Sequence, residues 1–220
     1  MEKKLRTKDK ILQASIELFN QIGERQVTTN HIAAHLGISP GNLYYHFRNK
    51  EDIVRHIFKD YTRLLETRIT LPGNNRDPLK LLTEYLDAVF ELMWRFQFFY
   101  ASLPDILLRD PLLQQDYLKV QADVLQKVTD ILKILKNSGV LDMADEEMHD
   151  MAHTIKMLVT FWVSYVKTQH ADQTIDQAAV YRGVLKVLLL FKAYATEPYQ
   201  PRLEQLRRHY ESLGRPDTAK

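Results

Sequence analysis

Residues 28–52 leave the chain the least freedom. Thr28 is placed to cap a helix, with Val27 just before it and Ile32 at the spacing of a hydrophobic staple. Ile32, Ala33 and Leu36 then share one apolar face, and Gly37 supplies the permissive backbone that a sharp turn between helices needs. Ser39 is a good cap for the next helix, and Pro40 falls at its first position, where the missing N–H costs nothing. That second helix is predicted over 40–47. Asn49 caps a third, with Glu51 and Asp52 in its first turn, where carboxylates favour the positive end of the macrodipole. Two short helices, a tight turn and the start of a longer helix make a helix-turn-helix.

The run LGISPGNLYYHFRNKEDI resembles the DNA-binding signature of the TetR/AcrR family of bacterial transcription regulators. Ile32-Ala33, Gly37, Gly41, Leu43-Tyr44, His46-Phe47 and Asn49-Lys50 recur together at that family's spacing. One departure is His31, where the family often has an acidic residue that completes a capping box. The resemblance implies an all-α protein: a helix-turn-helix DNA-binding head over 1–50, a connector helix over about 50–70, and a larger helical ligand-binding and dimerisation domain over 71–220.

Chemistry at such a head is non-covalent. Pro40 and Gly41 keep the start of the reading helix slim, so that its backbone can approach the groove floor, and Asn42 offers the amide that matches adenine in the major groove. Tyr45 adds a candidate base or sugar contact. Tyr44, His46 and Lys50 stand at family positions that bind backbone phosphates, as do Thr28, Thr29 and Ser39 at the helix starts. Two alternatives stay open: Tyr44 packing against the first helix, and His46 closing the end of its own. Leu43 and Phe47 read as core.

The 220 residues suit a small domain plus one of average size. The chain has no cysteine, which removes disulfides, thiolate metal sites and Cys nucleophiles. Polar residues interrupt the apolar run after the basic start MEKKLRTKDK, so no signal peptide is expected. MLVTFWVSYV and VLLLF are too short to cross a bilayer, which needs about 20 apolar residues. A soluble, cytoplasmic protein is expected. Net charge is only +2, so a general polyanion binder is not indicated. Over 1–60 cations modestly outnumber acids, joined by His31, His35, His46 and His56, and this excess helps only if the fold gathers it on one face.

Around this stretch the chain reads as helices throughout. The first spans 7–22, with Ile11, Leu12, Ile16, Leu18, Phe19 and Ile22 as its stripe, and Gly23 ends it. The connector carries Ile53, Ile57, Phe58, Tyr61, Leu64 and Leu65. Pro72-Gly73-Asn74-Asn75-Arg76 is a break, and Asp77-Pro78 restarts a helix expected to run unbroken over 79–100. A short helix follows near Pro104, then a long one from Asp110-Pro111 to near Gly139. Residues 147–169 and 176–195 are apolar on nearly every face, and Thr174 and Gln177 have capping-box spacing. Such helices are either central to the core or shared with a second subunit, and the resemblance implies a homodimer through them. No role is assigned to 198–220.

Met93, Trp94, Phe98, Tyr100, Tyr117, Phe161, Trp162 and Tyr165 are the candidates for a pocket taking a small apolar effector, against the alternative of plain core. No phosphate loop, metal-spaced cluster or carboxylate pair points to catalysis or a cofactor, and His149 and His153, four apart, read as solvated rather than metal-binding. The resemblance implies a regulator, a repressor released from a palindromic operator in double-stranded DNA by its effector. The rival reading is an all-helical carrier of apolar ligands.

Overall fold

The computed structural model describes residues 6–69, 77–169 and 175–215. Among these residues are eleven α-helices and an isolated β-bridge, Leu141 to Ala195. The head consists of α1 (Thr7–Ile22), a 3-10 turn at Glu24–Gln26, α2 (Thr29–Leu36) and α3 (Pro40–His46). The connector α4 (Lys50–Arg68) leads into α5 (Pro78–Arg95), α6 (Gln97–Ala101), α7 (Leu103–Arg109), α8 (Pro111–Asn137), α9 (Asp145–Gln169), α10 (Gln177–Lys192) and α11 (Gln200–Leu213).

The caps explain the head. Thr28 Oγ1 accepts from His31 N, and Thr28 N donates to His31 Nδ1 at 3.4 Å, so an unprotonated imidazole nitrogen closes the capping box in place of a carboxylate. Gly37 ends α2 in the left-handed region at φ 64°, a conformation costly for any side chain with a Cβ. Ser39 Oγ accepts from Asn42 N at 3.2 Å and Asn49 Oδ1 from Asp52 N at 2.8 Å. Ile11, Phe19, Ile32, Leu43, Phe47 and Ile53 are sealed inside.

The expected helix over 79–100 is in fact two. Phe96 breaks it, and Asn20 of α1 satisfies both sides of the break: its amide donates to Arg95 O at 3.0 Å and its carbonyl accepts from Phe98 N at 2.9 Å. With the Phe19 and Phe98 rings 5.0 Å apart, the head is packed directly on the larger domain. The break at 72–76 and the expected Thr174 cap lie outside the described residues. Asp176 caps α10 by accepting from Ala179 N at 2.7 Å. The unassigned C-terminal stretch forms α11, whose buried Tyr210 donates to Asp87 Oδ1 at 2.6 Å, and which packs on α10 and α5. No described helix is long and apolar enough to cross a membrane.

Candidate nucleic-acid interface and regulatory cavity

α2 and α3 present one polar face. Leu43 and Phe47 turn inward, while Asn42 and Tyr45 of the same helix face solvent, Tyr45 at 85% exposure. Thr29 Oγ1 and the Tyr44 hydroxyl meet at 2.9 Å, tying α2 to α3 with the Tyr44 ring half-exposed. The end of α3 is closed by Phe47 N donating to Leu43 O rather than by His46, whose ring lies edge-on to Tyr45. A Cβ on Gly41 would meet only Ser39 Oγ, at 3.9 Å. Nothing inside the protein requires glycine there. Thr28, Ser39, Pro40, Gly41, Asn42, Tyr44 and Tyr45 are exposed and Thr29 and His46 half-buried, with α2 and α3 joined through Thr29 and Tyr44. Lys50 differs: its ammonium donates to Glu24 O at 2.9 Å and pairs with Glu24 Oε1 at 3.1 Å.

Glu24 anchors a network between head and larger domain. It is 2% exposed and accepts from Arg109 Nη2 at 2.6 Å as well as from Lys50. Next to it, Arg55 of α4 donates to both oxygens of Asp110 at 3.1 and 3.2 Å, while Asp110 Oδ1 also caps α8 by accepting from Leu113 N. Buried carboxylates need such partners, because desolvation of an unpaired charge is costly. Each charged partner lies tens of residues away in sequence, and no local pattern announces these ion pairs.

A cavity of about 40 Å³ lies between α4, α5, α6, α8 and α9, with Leu103 at the start of α7 also lining it. Of the eight aromatic and Met candidates, Tyr100 and Tyr117 line it. Met93 and Phe98 are buried in the core elsewhere and Trp94 packs half-buried against it. Trp162 packs against α10, its Nε1 donating to Ala179 O at 2.8 Å, while Phe161 and Tyr165 are exposed on α9. The lining residues missed from sequence include Tyr61, Tyr85, Gln121, Lys156 and Thr160. The Tyr61 and Tyr100 hydroxyls are 3.2 Å apart, and burial pushes the Tyr61, Tyr85, Tyr100 and Tyr117 hydroxyls above the usual tyrosine range. They remain protonated donors.

Outward on α9, Met157, Phe161 and Tyr165 form an exposed row at four-residue spacing, with Leu189 exposed on α10. The inner sides of both helices, through Ile155, Val163, Val180 and Val184, are core. His149 and His153 precede the row on α9, their Nε2 atoms 3.1 Å apart. Among the described residues no three His, Asp or Glu side chains gather to hold a metal ion.

Residues 11–57 match the family described as "Bacterial regulatory proteins, tetR family", and residues 60–203 match "Bacterial transcriptional repressor". The chain belongs to the TetR family. Among its relatives, the HTH-type transcriptional repressor KstR2 of Mycolicibacterium smegmatis is 33% identical over 85 residues, 38% of this chain and 42% of that protein. The HTH-type transcriptional regulator AcrR of Shigella flexneri is 33% identical over 90 residues, 39% of this chain and 40% of that one. This TetR-family chain thus spans about two fifths of the length of these curated relatives. A solved TetR-family transcriptional regulator from Marinobacter aquaeolei VT8 is 39% identical, with TM-score 0.85, over 94% of this chain and 99% of that one. CprB of Streptomyces coelicolor, solved in complex with its biological operator sequence, shares the fold at 21% identity and TM-score 0.68, over 94% and 96% of the two chains. The two matches correspond to the N-terminal helix-turn-helix and to the larger helical domain that follows it.

Proposed function

We propose that this TetR-family chain is a homodimeric, cytoplasmic, non-catalytic repressor that binds a palindromic operator in double-stranded DNA and is released by a small effector held in the α4–α9 cavity. The head takes residues 1–50, the connector 50–70 and the regulatory domain 71–220. The observation that carries the reading is the shared surface of α2 and α3, where Gly41 and Asn42 stand free of any internal packing duty. Asn42 reads a base edge, Tyr45 adds a base or sugar contact, and Thr28, Thr29, Ser39, Tyr44 and His46 hold phosphates. Lys50 contributes its charge from a position braced by Glu24.

Dimerisation uses the row Met157, Phe161 and Tyr165 with Leu189, exposed apolar side chains that a second copy covers. A two-fold axis then sets two heads on half-sites about 34 Å apart, or a multiple of that. The effector acts through two routes that start at the cavity. α4 lines it with Tyr61, Leu65 and Ile69 and begins at the reading head; α6 and α7 line it with Tyr100 and Leu103 and end at Arg109, which grips Glu24. A ligand that parts these helices shifts the population towards a spacing of heads that no longer fits DNA.

The test is a gel shift with the DNA upstream of the chain's own gene, alongside sedimentation. Wild type should run as a dimer with specific, salt-sensitive binding; Phe161→Asp should run as a monomer and lose at least tenfold in affinity. An unshifted probe with a correctly folded dimer would leave the ligand-carrier reading in its place.

A further inference from the structure

The cavity that Proposed function assigns to the effector is not chemically apolar throughout, and the inference here rests on that assignment. Its apolar wall comes from Leu65, Val89, Leu92 and Val128. Its polar wall carries three groups with no hydrogen-bond or ionic partner among the described residues: the Tyr85 hydroxyl, the Gln121 amide and the Lys156 ammonium. Gln121 is only 7% exposed, and its unpartnered amide keeps a little solvent contact where it lines the cavity. Among the described residues no carboxylate lines the cavity.

We propose that the effector is an amphipathic acid, its carboxylate held by Lys156 and Gln121 and its hydrocarbon tail lying among Leu65, Val89, Leu92 and Val128. The donors decide the polarity of the ligand. Lys156 has only protons to offer, the buried tyrosines stay protonated, and the primary amide has two N–H groups. An amine or a bare hydrocarbon would strip water from these donors and leave them unmatched, which costs more than the lost bonds themselves. Burial already lowers the Lys156 pKa, so once a ligand excludes the remaining water the ammonium keeps its charge only beside a negative group. One ammonium balances one carboxylate; a phosphate dianion would find a single cation. The tail argues for size as well. About 40 Å³ admits water but no acyl chain, so the acid enters by separating α5, α8 and α9, and the bound state differs from this one.

Calorimetric titration of the full chain with octanoate, 1-octanol and octylamine tests the head group, and anisotropy of bound operator DNA measures release separately. Octanoate should bind at least tenfold more tightly than octanol, with octylamine weakest. Lys156→Met should bring octanoate within twofold of octanol while octanol keeps its wild-type affinity, and Gln121→Leu should weaken octanoate severalfold. Equal binding of acid and alcohol by wild type, a preference that survives Lys156→Met, or no binding by any straight-chain acid of six to fourteen carbons overturns the proposal. Octanoate binding that leaves DNA bound overturns the effector reading and leaves head-group recognition standing. Release of DNA by octanol as readily as by octanoate does the reverse.

Discussion

Gly41 and Asn42 sit side by side at the start of α3, exposed and without a packing role inside the protein. Because the Cβ of an alanine at 41 would meet only the Ser39 hydroxyl, Gly41→Ala should leave the melting temperature unchanged or slightly raised, alanine being the better helix former. DNA affinity should nevertheless fall at least tenfold, since the added methyl group holds the helix off the groove floor. Asn42→Ala should behave differently, erasing discrimination at one base pair by about 1–3 kcal/mol while the salt slope stays the same, because no phosphate contact is lost. Competition binding against single-base operator variants separates the two. Both residues were legible in sequence because their neighbours are local: a cap, a proline and a turn glycine place them. Lys50 was legible as a candidate phosphate contact but not as a partner of Glu24. Its contact with Glu24, 26 residues earlier, comes from the way the 3-10 turn lies over the start of α4.

Helix boundaries followed the same division. Where caps, prolines and Gly37 mark an end, observed helices begin and stop within a residue or two of expectation. Residues 79–100 carry no such mark, and the break at Phe96 exists because Asn20 on another helix satisfies the freed backbone groups. The α9–α10 pair depends on a similarly distant fit. A Cβ on Gly183 would lie 2.6 Å from Trp162 Cδ1, so the indole rests where only hydrogen can be accommodated. Gly183→Ala should therefore cost about 1–3 kcal/mol, read as a lower denaturant midpoint with unchanged slope. Adding Trp162→Leu should cost less than the sum of the two single changes, as expected for residues in contact. Trp162 was a candidate for the cavity from its aromatic neighbourhood; its place against α10 follows from a glycine 21 positions later, which periodicity does not reveal.

Across the whole molecule, two charged clusters join a DNA-reading head to a domain with a cavity. Arg109→Ala removes the closest partner of Glu24 and should lower stability by about 2 kcal/mol, a value typical of a hydrogen bond between charged groups. Its more telling effect should be on regulation. Effector affinity and effector-free DNA affinity should stay within severalfold of wild type, while the effector's influence on DNA affinity shrinks, because the coupling between two sites depends on what connects them. Arg109→Lys should restore part of it. Anisotropy titrations of operator with and without effector measure this directly, and an unchanged coupling would assign the signal to α4 alone.

The all-helical class, the small head beside a larger helical domain and the ends of α2 and α3 were settled by local grammar: caps, turns and apolar stripes act within one or two turns of a helix, and those distances are written in the order of residues. The cavity, the head-to-domain ion pairs and the partition of aromatics into core, cavity wall and exposed row were settled by packing. Eight aromatic and Met side chains of similar composition ended in three different environments because burial depends on which helices meet, and Lys156 and Gln121 became cavity residues for the same reason. Contacts among α4, α5, α6, α8 and α9 join positions up to about a hundred residues apart, and the free energy that selects them is shared by the whole core rather than held by any one stretch.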